Sequence, residues 1–271
     1  MPRTSTPRST STRRTRCCAP SPCTMDPDAS PALQALYRQV QADLALLAYA
    51  QRDWVLPVTG PAGDHVHDVV IVGGGQAGLG TALALKRDGV TNVLVLDARA
   101  QGQEGVWEDF ARMSHLRTPR ETVGIEGGIP SLSAPAFYRA AYGEAAWQGI
   151  TRIERTRWMD FLRWFRHAAG LAVRNDTRVL GLAPQGDLVA VHVATAGATQ
   201  VLLARHVVLA TGFDGCGAWH VPAGIAQAVA PGRIDHSSDA IDFEALRGKR
   251  VGILGHGAAA FDNACVLLRH G

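Results

Sequence analysis

Lysine is nearly absent from this chain: Lys86 and Lys249 stand against twenty-five arginines. With abundant Ala and Gly, the imbalance points to a GC-rich bacterial coding sequence and carries no chemistry. Cysteine is sparse and poorly placed for cross-linking, since Cys17, Cys18 and Cys23 fall in an N-terminal tail and Cys216 and Cys265 stand alone. That pattern excludes a disulfide framework and a metal-ligand spacing, so no metal is expected and a reducing, cytoplasmic setting is the default. No apolar run approaches the roughly 20 residues of a membrane helix, so no membrane partner is expected. The formal charge of +3 misleads, because residues 1–25 hold five arginines and no acid. Beyond them 22 basic residues face 24 acidic ones, a net of −2, which argues against a nucleic-acid partner.

What the chain does have is concentrated in VVIVGGGQAGLG, residues 69–80. Val69 to Val72 reads as a buried parallel strand, and the glycines after it force a tight turn into a helix. In the G-x-G-x-x-G pattern Gly73 permits the turn, Gly75 lets the backbone approach a pyrophosphate, and Gly78 lets helix pack closely on strand. Gly74, Gln76 and Ala77 complete a loop whose unpaired N–H groups, at a helix N-terminus, attract an anion. A helix over Ala77 to Asp88 follows, then a strand, Val93 to Leu96, that ends in Asp97, nineteen residues beyond Gly78. An acid at that place accepts hydrogen bonds from the ribose of an adenine dinucleotide. Strand, helix, second strand and acid together predict a dinucleotide-binding unit.

The chain divides into four stretches. Residues 1–30 are rich in Ser, Thr, Arg and Pro and should be disordered. Three readings compete for this tail: a transit peptide, although it lacks an amphipathic helix; a basic nucleic-acid arm; or an upstream misreading ahead of a true start at Met25, the preferred one. Residues 31–56 read as a helix capped by Ser30 with Pro31 in its first turn, and Leu33, Leu36, Tyr37, Val40, Leu44 and Leu47 form one apolar stripe. That stripe packs on the first domain or pairs two copies into a homo-oligomer. Residues 66–247 form the first nucleotide domain and 248–271 begin a second.

Within the first domain, Gly102 to Trp147 reads as a long irregular stretch whose aromatics, Trp107, Phe110, Phe137, Tyr138 and Trp147 among them, either cover a ligand or fill the core. A helix is expected over Thr156 to Ala169, then strands over Val173 to Leu182, Leu188 to Ala194, Gln200 to Leu203 and Val207 to Ala210. Near the end Val251 to Leu254 reads as another strand before Gly255-His256-Gly257-Ala258-Ala259-Ala260, a G-x-G-x-x-A loop opening an apolar helix. Two such units imply two dinucleotides. The sequence stops directly after that helix, which reads as a fragment whose last unit cannot bury its apolar faces alone.

This order of motifs, with Ala210-Thr211-Gly212-Phe213 between the two loops, resembles the two-dinucleotide-binding flavoproteins, and among them the flavin-containing and Baeyer–Villiger monooxygenases. The resemblance extends to Gly105-Val106-Trp107, similar to their Gly-Gly-x-Trp, and to Gly232 and His236 of their Phe-x-Gly-x-x-x-His-x-x-x-aromatic fingerprint. Ala230 and Ala240 stand where that fingerprint has its aromatic ends. The resemblance implies an α/β fold: a Rossmann-like FAD-binding domain with an inserted β-hairpin layer, and the start of a Rossmann-like NAD(P)-binding domain. It also implies that Gly73, Gly75, Gly78, Asp97, Trp107, Thr211 and Gly212 lie along FAD and that Gly255, Gly257 and Ala260 hold NADP or NAD. His115, Arg117 and His236 are its catalytic candidates.

The implied activity is an NADPH-dependent oxygenation of a small organic substrate by O₂, through a flavin hydroperoxide. Two alternatives stay open: an FAD-dependent NAD(P)H oxidase or dehydrogenase without oxygenation, and a non-catalytic FAD-binding fragment. A disulfide reductase is disfavoured, because no Cys-x-x-Cys pair exists.

Overall fold

The computed structural model describes residues 30–47, 53–230 and 232–270. The readings of the tail, including the start at Met25, fall outside these residues. Helix α1, Pro31–Leu46, begins where Ser30 Oγ accepts the Leu33 amide at 3.1 Å. Leu33 and Val40 are buried, and Gln41 reaches the Ala168 carbonyl at 2.7 Å, so the stripe packs on the same molecule.

Strands β1 (Val66–Val72) and β2 (Val93–Leu96) flank helix α2 (Gln76–Arg87) and pair in parallel. Successive β1 side chains point to opposite faces: Val69 and Ile71 enter the main core, Val70 a second cluster. A six-stranded sheet results, in the order β3-β2-β1-β6-β5-β4, with β3 (Val173–Arg174), β4 (Arg178–Gln185), β5 (Leu188–Thr195) and β6 (Ala198–Leu209). Its β3, β2, β1 and β6 portion is parallel, and β4, β5 and the start of β6 form an antiparallel meander. Val191 and Val193 of β5 share a cluster with Val70 and Leu96, so the meander curls over the face that the helices leave bare.

Two strand expectations need correction. The strand over Val173 to Leu182 is broken by Asn175-Asp176-Thr177, where the Asp176 amide turns to the Arg99 carbonyl at 3.1 Å. Conversely, the separate strands at Gln200 to Leu203 and Val207 to Ala210 are one continuous β6. Between the two runs lies Arg205, a charge that is costly inside a sheet. Asp68 of β1, 4% exposed, resolves the cost by pairing with Arg205 at 3.1 Å.

The stretch from Gly102 to Trp147 is also more ordered than expected. It holds a 3-10 turn at Pro130–Leu132 and helices α3 (Ala134–Tyr142) and α4 (Glu144–Gln148), with Ser133 Oγ facing the Ala136 amide as the α3 N-cap. These short helices were missed in a stretch dense in Gly and Pro, where Pro135 and Gly143 serve as a first-turn residue and a cap. Phe137, Tyr138 and Trp147 are buried core residues packed against α5, Arg155–Ala168. Core filling therefore wins over ligand covering for these three.

The second unit departs furthest. Val251 to Leu254 form no strand, and Leu254 is 75% exposed. A strand exists only through its ladder partners, and among the described residues none lies beside this segment. Helix α7, Ala258–His270, does form, after a short helix α6 at Ala223–Ala228. No described helix is long and apolar enough to cross a membrane.

Candidate functional site

The first glycine loop is a set of close backbone approaches. Gly73 has φ +112°, and a Cβ there would fall 2.3 Å from the Ala210 carbonyl oxygen. Its amide donates to the Leu96 carbonyl at 2.7 Å, so the turn sits between the ends of β2 and β6. A Cβ on Gly78 would lie 1.8 Å from the Gly73 carbonyl oxygen, which brings α2 directly onto the loop. Gly75 differs: its Cβ would meet only Gly105, at 3.6 Å. The first α2 bond runs from the Leu79 amide to the Gly75 carbonyl, leaving the amides of Gln76, Ala77 and Gly78 outside the ladder. Open space over Gly75 beside free amides fits the diphosphate of a dinucleotide.

Asp97 is buried at the end of β2, where Oδ2 accepts the Gly74 amide at 2.7 Å and Oδ1 the Arg99 amide at 2.8 Å. Both carboxylate oxygens thus hold backbone. Here the acid expected to face a ribose also clamps the loop to the strand. Thr211 and Gly212 follow β6, and the Thr211 amide nitrogen would stand 3.5 Å from a Gly73 Cβ, so these residues and the loop share one edge of the sheet. Trp107 sits beside Gly105 and meets Trp158 edge-on, ring centroids 6.3 Å apart.

A cavity of about 390 Å³ opens between this loop and α5, lined by Gly74, Gly75, Glu104, Arg163, Trp164 and Arg166 among others. The sequence reading missed its polar wall. Buried Glu104 accepts Arg166 at 2.6 Å, Asn175 at 2.7 Å and the Gly102 amide at 2.8 Å. Arg163 donates to the Gly102 carbonyl at 2.6 Å and to Glu108 at 2.9 Å. Two arginines on α5 thereby fix the segment after Asp97 against the cavity. The available signal was their position among Trp164 and Phe165, on a helix whose burial left them nowhere solvated to go. The Trp164 indole N–H is buried with no acceptor among the described residues.

The three catalytic candidates line neither this cavity nor a second one near Arg112. His115 is exposed, its Nδ1 3.0 Å from Ser114 Oγ. Arg117 pairs with Asp262 of α7 and ties the second unit to the loop after β2. His236 accepts the Ser238 amide at Nδ1, 3.2 Å away, and lies over Trp219 at 5.0 Å between centroids. In the second loop Gly255 has φ +140° and would touch Ala260 at 3.6 Å, whereas nothing stands within 4 Å of a Gly257 Cβ. No group of three or more metal-binding side chains occurs among the described residues.

Residues 70–271 match the model of the family described as pyridine nucleotide-disulphide oxidoreductase. The chain belongs to that family. It is also 48% identical over 239 residues to an FAD-dependent urate hydroxylase of Xanthomonas campestris, covering 88% of this chain and 50% of that protein. The chain thus spans about half the length of this curated relative. An ornithine hydroxylase of Pseudomonas aeruginosa superposes with a TM-score of 0.62 over 75% of this chain and 52% of that one, at 22% identity. An FAD-bound cadaverine monooxygenase of Erwinia amylovora gives 0.59 over 76% and 49%, also at 22% identity. These two likenesses show the shared fold: a Rossmann-like α/β sheet carrying an antiparallel layer.

Proposed function

We propose that this chain is the FAD-binding part, with the beginning of the NAD(P)-binding part, of an FAD-dependent monooxygenase that oxygenates a small organic substrate with O₂. The observation that carries this reading is the 48% identity to a urate hydroxylase. FAD, when bound, accepts hydride from the nicotinamide and activates O₂. In this reading Gly73 to Gly78 hold the pyrophosphate: Gly73 and Gly78 by shaping the turn, Gly75 by leaving room, and the amides of Gln76 and Ala77 by donating. Asp97 orients the loop and meets the ribose edge. Trp107, Thr211 and Gly212 border the flavin end, and Gly255, Gly257 and Ala260 receive NADPH or NADH. The FAD domain covers 66–247, the nucleotide domain opens at 248, and the protein works in the cytoplasm.

The test is the visible spectrum of the purified chain before and after anaerobic NADPH, followed by product analysis in air with urate as first substrate. Flavin bands that bleach, with oxygenated product, are expected. Bleaching that yields only peroxide would convert the assignment to an NAD(P)H oxidase, a reading favoured by the missing aromatics at Ala230 and Ala240. A colourless protein that cannot be reconstituted with FAD would overturn it.

A further inference from the structure

A second cavity, about 400 Å³, lies between the loop after β2 and the segment before the second glycine loop. Asp109 and Arg112 form one wall, Arg155 another, and Ala240 to Phe243 with Val266 the third. Its two arginines and two aspartates are unequally engaged. Asp109 is spent on Arg99 at 2.7 Å, and Asp242 accepts the Ala245 amide at 3.0 Å. Arg155, the first residue of α5, is half-buried and makes no side-chain hydrogen bond or ion pair among the described residues. Arg112 donates to the carbonyls of Asp109 and Asp239 but meets no carboxylate, and its Nε is buried without a partner. Burial pulls the Arg155 pKa below its usual value and the Arg112 charge adds to this, while Glu108 opposes it. The opposing acid is already paired with Arg163 at 2.9 Å.

The remaining lining is apolar. Ile241 and Val266 contribute hydrocarbon, and the Phe243 ring carries the Arg112 guanidinium 5.3 Å from its centroid. Ala240 is the position at which the monooxygenase fingerprint has an aromatic residue, and a side chain of that size would occupy this space. Two guanidiniums that pair with neither lining carboxylate, beside apolar walls, are complementary to a ligand with a charged oxygen edge and a flat hydrocarbon or heterocyclic body.

We propose that this cavity binds a small organic anion, with Arg155 and Arg112 taking its charged oxygens and Ala240 leaving room for its body. The identification of that anion as the substrate rests on the monooxygenase reading; the binding itself does not. The test is calorimetric titration of the whole chain with benzoate at low ionic strength, with benzamide as its uncharged counterpart. Benzoate should bind at least about tenfold more tightly than benzamide, the expected size of a charge-assisted contact. Arg155→Gln should remove that preference and Ala240→Trp should abolish binding.

Equal affinity for both compounds, benzoate binding indifferent to both substitutions, or no binding by the parent chain would overturn the proposal. Displacement of benzoate by adenosine 2′,5′-bisphosphate would give the site to the nucleotide and overturn it too. If Ala240→Trp does not fold, as judged by circular dichroism, the Arg155→Gln and benzamide comparisons decide. Flavin absorbance on the same samples keeps the two claims apart. Benzoate binding without flavin sinks only the function, and flavin without benzoate sinks only this site.

Discussion

The chain carries the same glycine motif twice, and the two copies sit in opposite surroundings. A Cβ would strike backbone at 2.3 Å on Gly73, but on its counterpart Gly255 would meet only the Ala260 side chain, at 3.6 Å; and where a Cβ on Gly78 would lie 1.8 Å from backbone, the second copy carries Ala260. The first loop follows a strand paired on both sides, by β2 and β6. The second follows Val251 to Leu254, which have no ladder and stay partly exposed. Neighbouring strands, then, turn a permissive glycine into a required one; the motif by itself does not. What survives in the second copy is the part set locally: the positive φ of Gly255 and the helix that follows.

The contrast breaks down most visibly if Gly78→Val is tolerated. With the Gly73 carbonyl at 1.8 Å from the new Cβ, the substitution should cost more than about 4 kcal/mol and abolish the cooperative thermal transition. Next comes the polar wall that backs the first loop. Arg166→Met leaves Glu104 buried beside a single neutral side-chain donor, Asn175, and should cost about 3 kcal/mol in denaturant unfolding.

Smaller still is Tyr142→Phe, at about 1 kcal/mol, since it removes the bond from the Tyr142 hydroxyl to Asp160 of α5 at 2.9 Å. Burial and then the Asp160 charge push this phenol above its usual value. The neutral phenol is thus favoured by folding. Its contribution is full below pH about 10, the unfolded value, and is lost as pH rises through the raised folded value. The stability gap between parent and variant should narrow above that pH, measured by parallel melts. Gly257→Ala should be smallest, within about 0.5 kcal/mol in thermal melts, because nothing stands within 4 Å of its Cβ; a large loss there would mean that the second loop is packed more closely than its surroundings show.

How far the sequence could be read depended on whether a residue's role was local. The turns at Gly73 and Gly255, the close contact at Gly78 and the cap at Ser30 depend on a few neighbouring residues, and their geometry is present. The continuity of β6 was hidden because the partner of Arg205 is Asp68, over a hundred positions away. Likewise Glu104, Arg166 and Asn175 form one network from three segments, none of which bears a motif. His115 stood out by residue type and loop position and His236 by a family fingerprint, and the fold puts them at neither cavity.

The central claim is that the first loop, and Gly75 above all, is a dinucleotide phosphate site. Its most direct test is FAD titration of apo parent and Gly75→Ala, followed by flavin fluorescence, with melting curves on both. The new methyl meets only Gly105 at 3.6 Å, so the account predicts nearly unchanged melting together with a loss of FAD affinity of about a hundredfold or more, the cost of displacing the diphosphate from its amides. Equal FAD affinity in a variant that melts like the parent would contradict it.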